Sequence, residues 1–354
     1  MTASTAPLVL VPKLAPAIWG GDALVRRYGK SGDPNALLGE SWECWDDDTV
    51  TAGPYAGVSI AALRATLGRA LTGPADPAQR FPVLTKIIDA HQALSVQVHP
   101  DDAYAQRVEH QPVGKTECWY ILAAEPGAEL VLGWTHDTDR AEYERRVADG
   151  TLGEILRRVP VHPGDAFYLP AGTLHAIGAG IVLFETQQAS DLTYRIFDWN
   201  RTDAQGKPRE LHVAKAGDVL DFRATFPGAV KQLVFADGGF ERTVAIADRR
   251  FSVERVRVNA TGATLTTGGR PVAVLAMDAG LTLETAGGVA ALRPWETALV
   301  PADEPEVTFG SLGDAMVVRV DPDLAALRDA AAAAGIAEAE SSRFFAQFSG
   351  AAPA

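Results

Sequence analysis

Residues 94–102 read LSVQVHPDD. Leu94, Val96 and Val98 alternate with Ser95, Gln97 and His99 until Pro100 breaks the pattern. Successive side chains of a strand point to opposite faces, so one face here is apolar and the other carries a hydroxyl, an amide and an imidazole in a row. A buried strand with such a face implies an interior that holds something polar.

Outward from this stretch, short apolar runs punctuated by Gly, Pro and Asp favour a mainly β architecture. Strands are expected at 83–88, 94–99, 118–123, 166–169, 181–186 and 193–197. Many short strands joined by tight turns suggest a sandwich or jelly roll. Helical spacing is read over 59–69, 102–109 and 209–220, and 136–158 reads as two short helices broken at Gly150. These inserts do not alternate regularly with strands, which argues against a doubly wound α/β fold. From about Phe235 a plainer β texture begins, and the last histidine is His212. The expected organisation is a first unit over 1–234 with helical insertions, a second, smaller β unit over 235–322, and a helical Ala-rich tail over 323–354 with a break at Gly335.

The 354 residues carry a net charge of −13, from 45 acidic and 32 basic side chains. That balance disfavours nucleic acid and anionic membranes as partners, both of which need basic patches. It leaves room for an anionic small molecule if the site is locally positive. Two cysteines, Cys44 and Cys118, cannot staple a chain of this size. The N-terminal stretch has neither a basic n-region nor a long apolar run, so a cytoplasmic setting is expected.

Three further stretches belong with the first. In GKTECWYIL (114–122), Lys115, Glu117 and Trp119 share one face of an extended segment. HPGDAFYLPAGTLHAIG (162–178) presents His175 just after a turn, and in VLFETQQASDLTYRIFDW (182–199) Glu185 and Gln187 share a face, as do Asp191, Thr193 and Arg195. Gln97, His99, Glu117 and His175 make a plausible mononuclear metal set: two imidazoles and a carboxylate suit zinc, and an amide oxygen can complete the shell. Spacing alone specifies this weakly, because His99 and His175 are 76 residues apart. A jelly roll can unite them, since its strands line one interior. Taken singly, each of these residues is more often an ordinary hydrogen-bonded side chain. Lys86 and Lys115 would then be solvated surface lysines, and Asp191 and Arg195 merely an ion pair. His91, His110, His136, His162 and His212 show no partnered pattern.

At these stretches the sequence resembles the type I mannose-6-phosphate isomerases (phosphomannose isomerases), in the shorter bacterial form. These are zinc enzymes of the cupin superfamily. QVHPDD, GKTECWY and SDLTYR in this order carry the resemblance, which runs from AIWGG (17–21) through GESWE (39–43) to RELHVAKA (209–216). It implies a metal-binding cupin (jelly-roll) barrel, a second jelly-roll-like unit, and one Zn²⁺ per chain on Gln97, His99, Glu117 and His175. It places Ser95 and Lys86 among the groups that hold the substrate, and Lys115, Glu185, Asp191 and Arg195 around the reacting carbons. The implied reaction interconverts mannose 6-phosphate and fructose 6-phosphate through a cis-enediol, with a phosphorylated hexose as partner. Lys115 is slightly preferred over Glu185 as base. A cupin oxygenase using Fe²⁺ is the competing enzyme class, disfavoured by Gln97 and the cationic groups. A non-catalytic sugar-phosphate-binding regulator is disfavoured by the complete residue set. A monomer and a homodimer are equally compatible with the sequence.

Overall fold

Along the central strands the inward-facing residues change character, and that change positions the site. Ile181–Gln188 pairs antiparallel with Val83–Ala90 on one side and Glu117–Ala124 on the other. Its inward residues run Ile181, Leu183, Glu185, Gln187, opposite Ala90, Ile88, Lys86 and Leu84. Ile88, Ala90, Trp119, Ile121, Ile181 and Leu183 join an apolar cluster at one end of a barrel. Lys86, Glu117 and Glu185 lie towards the other end. The computed structural model describes residues 4–202, 206–225 and 228–349.

Two sheets form this first barrel. A six-stranded sheet has the order Ala166–Leu169, Glu117–Ala124, Ile181–Gln188, Val83–Ala90, Leu38–Cys44, Lys13–Gly21. Facing it, a five-stranded sheet has the order Tyr194–Phe197, Val96–Val98, His175–Ile177, Glu129–Trp134, Leu156–Pro160. The cluster that fills the barrel draws on both sheets, with Leu130, Leu132 and Ile177 from the second. The jelly-roll expectation therefore holds for the architecture. The six-stranded sheet is buried on its outer face too, where Val83, Ile87, Cys118 and Phe184 pack with Phe235, Phe251, Leu327 and Phe344. Two-sided burial explains why Val83–Ala90 and Ile181–Gln188 are buried at every position.

The second barrel is made of an eight-stranded and a four-stranded sheet, and the larger one includes two N-terminal strands. Leu8–Val11 pairs with Thr297–Val300, placing Leu8 opposite Leu299. The interior is filled by Val256, Val274, Leu283, Val307, Phe309 and similar side chains. The tail forms two helices, Leu324–Ala333 and Glu338–Ala346, interrupted at Gly335 as expected. Asp323 caps the first by accepting from the Ala325 and Ala326 amides.

Three local expectations change. The strand at 94–99 is shorter, Val96–Val98, although Leu94 still donates its amide to the Ile177 carbonyl of the neighbouring strand. The helix at 102–109 is a turn, Asp102–Tyr104, continuing as a π-helix, Ala105–Glu109. Two helical pieces do flank Gly150 in 136–158, Arg140–Ala148 and the single 3-10 turn Leu152–Ile155, but the second ends early, and Leu156–Pro160 is an edge strand paired to Glu129–Trp134. The ladder satisfies its amides on one side, and Pro160 sits where an edge strand tolerates a missing donor.

Asp48 gives a stability prediction. Its carboxylate is buried, and neither oxygen has a hydrogen-bond partner. Burial first, then the Glu43 carboxylate, pushes its pKa up to about 8, which the nearby Trp45 and Lys13 amides only partly offset. The unfolded chain ionises near ~3.9, so this group's contribution is fully present below that pH and is lost as pH rises towards 8. Asp48→Asn removes the dependence. The variant's urea midpoint should gain on the parent's steadily from pH 5 to 8; parallel curves would exclude a protonated Asp48 in the folded state.

Candidate metal centre and cavity

Directly opposed residues of an antiparallel pair share a face, and register builds the site in two rows. On the five-stranded sheet, His175 and Arg195 lie on either side of Gln97. On the six-stranded sheet, Trp42 opposes Lys86, Lys86 opposes Glu185, and Glu185 opposes Trp119. Glu117 stands two residues before Trp119, on the same face, opposite Gln187.

His99, Glu117 and His175 are all buried, and their ligand atoms lie within 4.8 Å of one another. His99 Nδ1 is 2.8 Å from the Leu192 carbonyl and His175 Nδ1 is 2.9 Å from the Thr173 carbonyl. A carbonyl can only accept, so each Nδ1 carries the proton and each Nε2 presents a lone pair. Burial, and then the Lys115 ammonium, push His99 down to about 3, and burial also lowers His175. Both rings are therefore neutral.

Those lone pairs face a carboxylate. His175 Nε2 lies 3.2 Å from Glu117 Oε1, and His99 Nε2 lies 3.4 Å from Glu117 Oε2. Burial works against ionisation of Glu117, but the Lys115 ammonium beside it holds its carboxyl well below the ordinary range. Acceptor thus meets acceptor in a dry interior, and Glu117 Oε1 has no hydrogen-bond donor. Such a set fits a cation. Part of the positive charge comes from Lys115, which donates to Glu117 Oε2 and lies 3.1 Å from His99 Nε2. Gln97 completes the group, with its amide nitrogen 3.2 Å from His175 Nε2. Rotating that amide would present its oxygen instead, giving a two-imidazole, one-carboxylate, one-amide donor set that suits zinc.

A cavity of about 600 Å³ opens beside this cluster. Gln97 and Lys115 line it together with Ser95, Lys86, Glu185, Asp191 and Arg195, so the proposed site residues share one space with the buried trio at its edge. Lys86 Nζ is 3.3 Å from both Glu40 Oε2 and Glu185 Oε1. Burial opposes its charge, yet these two carboxylates raise its pKa overall. Glu185 accepts from the Trp119 indole at 2.9 Å, and burial, then Glu117, raise its pKa. Arg195 donates to the Glu210 carbonyl at 3.0 Å and leaves a buried Nε without a hydrogen-bond partner. Among the described residues no ion pair joins Asp191 to Arg195. The sequence reading did not single out Glu40 or Arg209, which also line the cavity. With Arg209 included, four cationic side chains face three anionic ones. The pocket is more positive than the chain that carries it.

The family pattern described as "Phosphomannose isomerase type I, catalytic domain" matches residues 8–145. A mannose-6-phosphate isomerase of Streptococcus mutans is 40% identical over 259 residues, spanning 72% of this chain and 79% of that protein. Mannose-6-phosphate isomerase ManA of Bacillus subtilis is 45% identical over 222 residues, spanning 62% and 69% respectively. The crystal structure of the mannose 6-phosphate isomerase from Bacillus subtilis superposes with a TM-score of 0.82 at 32% identity, covering 89% of this chain and 100% of that one.

Proposed function

Because this chain belongs to the type I phosphomannose isomerases, mainly β enzymes of the cupin fold, we propose that it interconverts mannose 6-phosphate and fructose 6-phosphate with one Zn²⁺ held by Gln97, His99, Glu117 and His175. The observation that carries the metal reading is the convergence of two neutral imidazole lone pairs on an ionised, partly unpartnered Glu117. Bound there, zinc supplies Lewis acidity that stabilises negative charge on a substrate oxygen.

The rest falls to the side chains around the cavity. A proton must leave C2 of the aldose and return at C1 of the ketose, passing through a cis-enediolate. One positioned base contributes about 10²–10⁴-fold, well short of the whole acceleration typical of enzymes, so charge stabilisation and orientation carry the remainder. Lys115 is the proposed base, with Glu185 its competitor. Arg195 and Asp191 border the reacting carbons, where the guanidinium offsets developing oxyanion charge. Ser95 and Lys86 hold the phosphorylated sugar, fixing the distance from phosphate to reacting end. The ammonium of Lys86 already lies between Glu40 and Glu185, so it meets an anionic ligand as part of a network. The catalytic unit is read as 1–234, with 235–322 and 323–354 as its support.

Chelation tests the metal reading. Prolonged treatment with a strong chelator should abolish conversion of mannose 6-phosphate, and stoichiometric Zn²⁺ should restore it. Undiminished turnover by protein shown metal-free by elemental analysis would refute the mechanism.

A further inference from the structure

The short segment Gly114–Glu117 carries both Lys115 and Glu117, yet its strand begins only at Glu117. Its backbone is fixed from outside. Lys115 donates its amide to the Pro100 carbonyl at 3.0 Å. Gly114 donates to Asp102 Oδ1 at 2.9 Å, and Thr116 donates to Gln188 Oε1 at 2.9 Å. The Gln188 amide in turn donates to Asp102 Oδ1 at 2.9 Å, closing the set. A Cβ on Gly114 would lie 2.3 Å from the Pro100 oxygen, so the approach leaves no room for a side chain.

Asp102 is the hub of this clasp, and its other oxygen faces the second barrel. Arg250 Nη2 lies 3.5 Å from Asp102 Oδ2, and the mostly exposed Arg249 lies 3.9 Å from it. Arg250 occupies the turn between Phe240–Ala247 and Phe251–Val258. It is held there by Asp248, whose Oδ1 is 3.3 Å from Arg250 Nη1 and whose Oδ2 accepts from the Tyr168 hydroxyl at 2.8 Å.

We infer that Arg250 is a positioning residue of the catalytic centre, acting through Asp102 to hold the Gly114–Glu117 segment, so that the filled second barrel takes part in catalysis by fixing where Lys115 stands. The inference rests on the role given to Lys115 above. Misplacing a reacting group by about 1 Å can cost on the order of 10²-fold in rate. Losing one of several restraints should displace Lys115 by less.

The test uses the full-length, zinc-loaded protein. Arg250→Ala, and Arg249→Ala/Arg250→Ala to remove the second cation, should lower kcat by about 10- to 100-fold. Metal per chain and KM for mannose 6-phosphate should stay unchanged. Arg250→Lys should recover part of the loss. If Arg250 acts through Asp102, then Asp102→Asn combined with Arg250→Lys should be no slower than the slower single variant, a comparison that survives if Arg250→Ala fails to fold. Parental kcat in the double arginine variant overturns the inference, and so do multiplicative losses in the Asp102/Arg250 combination. Lys115→Ala separates the two ideas. Parental kcat in that variant overturns the role of Lys115, whereas its loss alongside parental kcat in the arginine variants overturns the inference alone.

Discussion

His175→Ala is expected to remove the bound metal and to lower kcat/KM by more than the about 10- to 100-fold that follows loss of a group merely supporting a metal ligand. The imidazole is locked by the Thr173 carbonyl, so its Nε2 has one orientation, towards Glu117 and Gln97. Alanine removes that donor atom and opens a gap between the two sheets, with Lys115 left as the direct cationic partner of Glu117. A buried carboxylate in a weakened site still has a charge to satisfy, so the fold should persist with Lys115 drawn more tightly onto Glu117. His162→Ala is the control, because that ring is exposed beside Asp165 and does not line the cavity. Elemental analysis after gel filtration reads the metal, and conversion of mannose 6-phosphate reads the activity. Stoichiometric zinc with parental kcat/KM in His175→Ala would sink the assignment of this cluster.

Much of this site was legible because alternation is a strict rule. Ser95, Gln97 and His99 had to share a face once 94–99 was read as extended, and the structure turns Ser95 and Gln97 into the cavity. Which sheet lay opposite was not legible. Gln97 meets His175 as a direct cross-strand pair, a relation fixed by register over a separation of 78 residues. Glu40 escaped notice because GESWE is polar on both faces. Ser41 and Glu43 turn to a buried partnership with Lys30, while Glu40 turns to Lys86. No local spacing distinguishes those two partners. Leu8–Val11 is a plain apolar run, and nothing within it announces that its ladder lies with Thr297–Val300 at the far end of the chain. The edge strand Leu156–Pro160 was hidden by Arg157 and Arg158, which suit a helix surface equally well; the partner Glu129–Trp134 decides the matter.

Lys115→Ala should lower kcat by about 10²–10⁴-fold while leaving zinc content near that of the parent, the loss expected for a general base that is not itself a ligand. Glu185→Ala should cost less in kcat and more in substrate affinity. The geometry separates the two groups. Glu185 is committed to its own wall: one oxygen accepts from the Trp119 indole at 2.9 Å and the other lies 3.3 Å from Lys86. Lys115 lines the cavity and also touches Glu117 and His99, two of the proposed zinc ligands. A cation taking those two atoms would release the amine from both and leave it at the edge of the substrate's space. The pH profile gives a second reading. The Glu185 carboxyl is raised by burial and then by Glu117, so were it the base, the acidic limb of kcat/KM would lie above the ordinary carboxylate range and vanish in Glu185→Gln. With Lys115 as base, the limb should be the same in Glu185→Gln as in the parent. Retention of kcat within about threefold in Lys115→Ala, together with collapse in Glu185→Ala, would transfer the proton to Glu185.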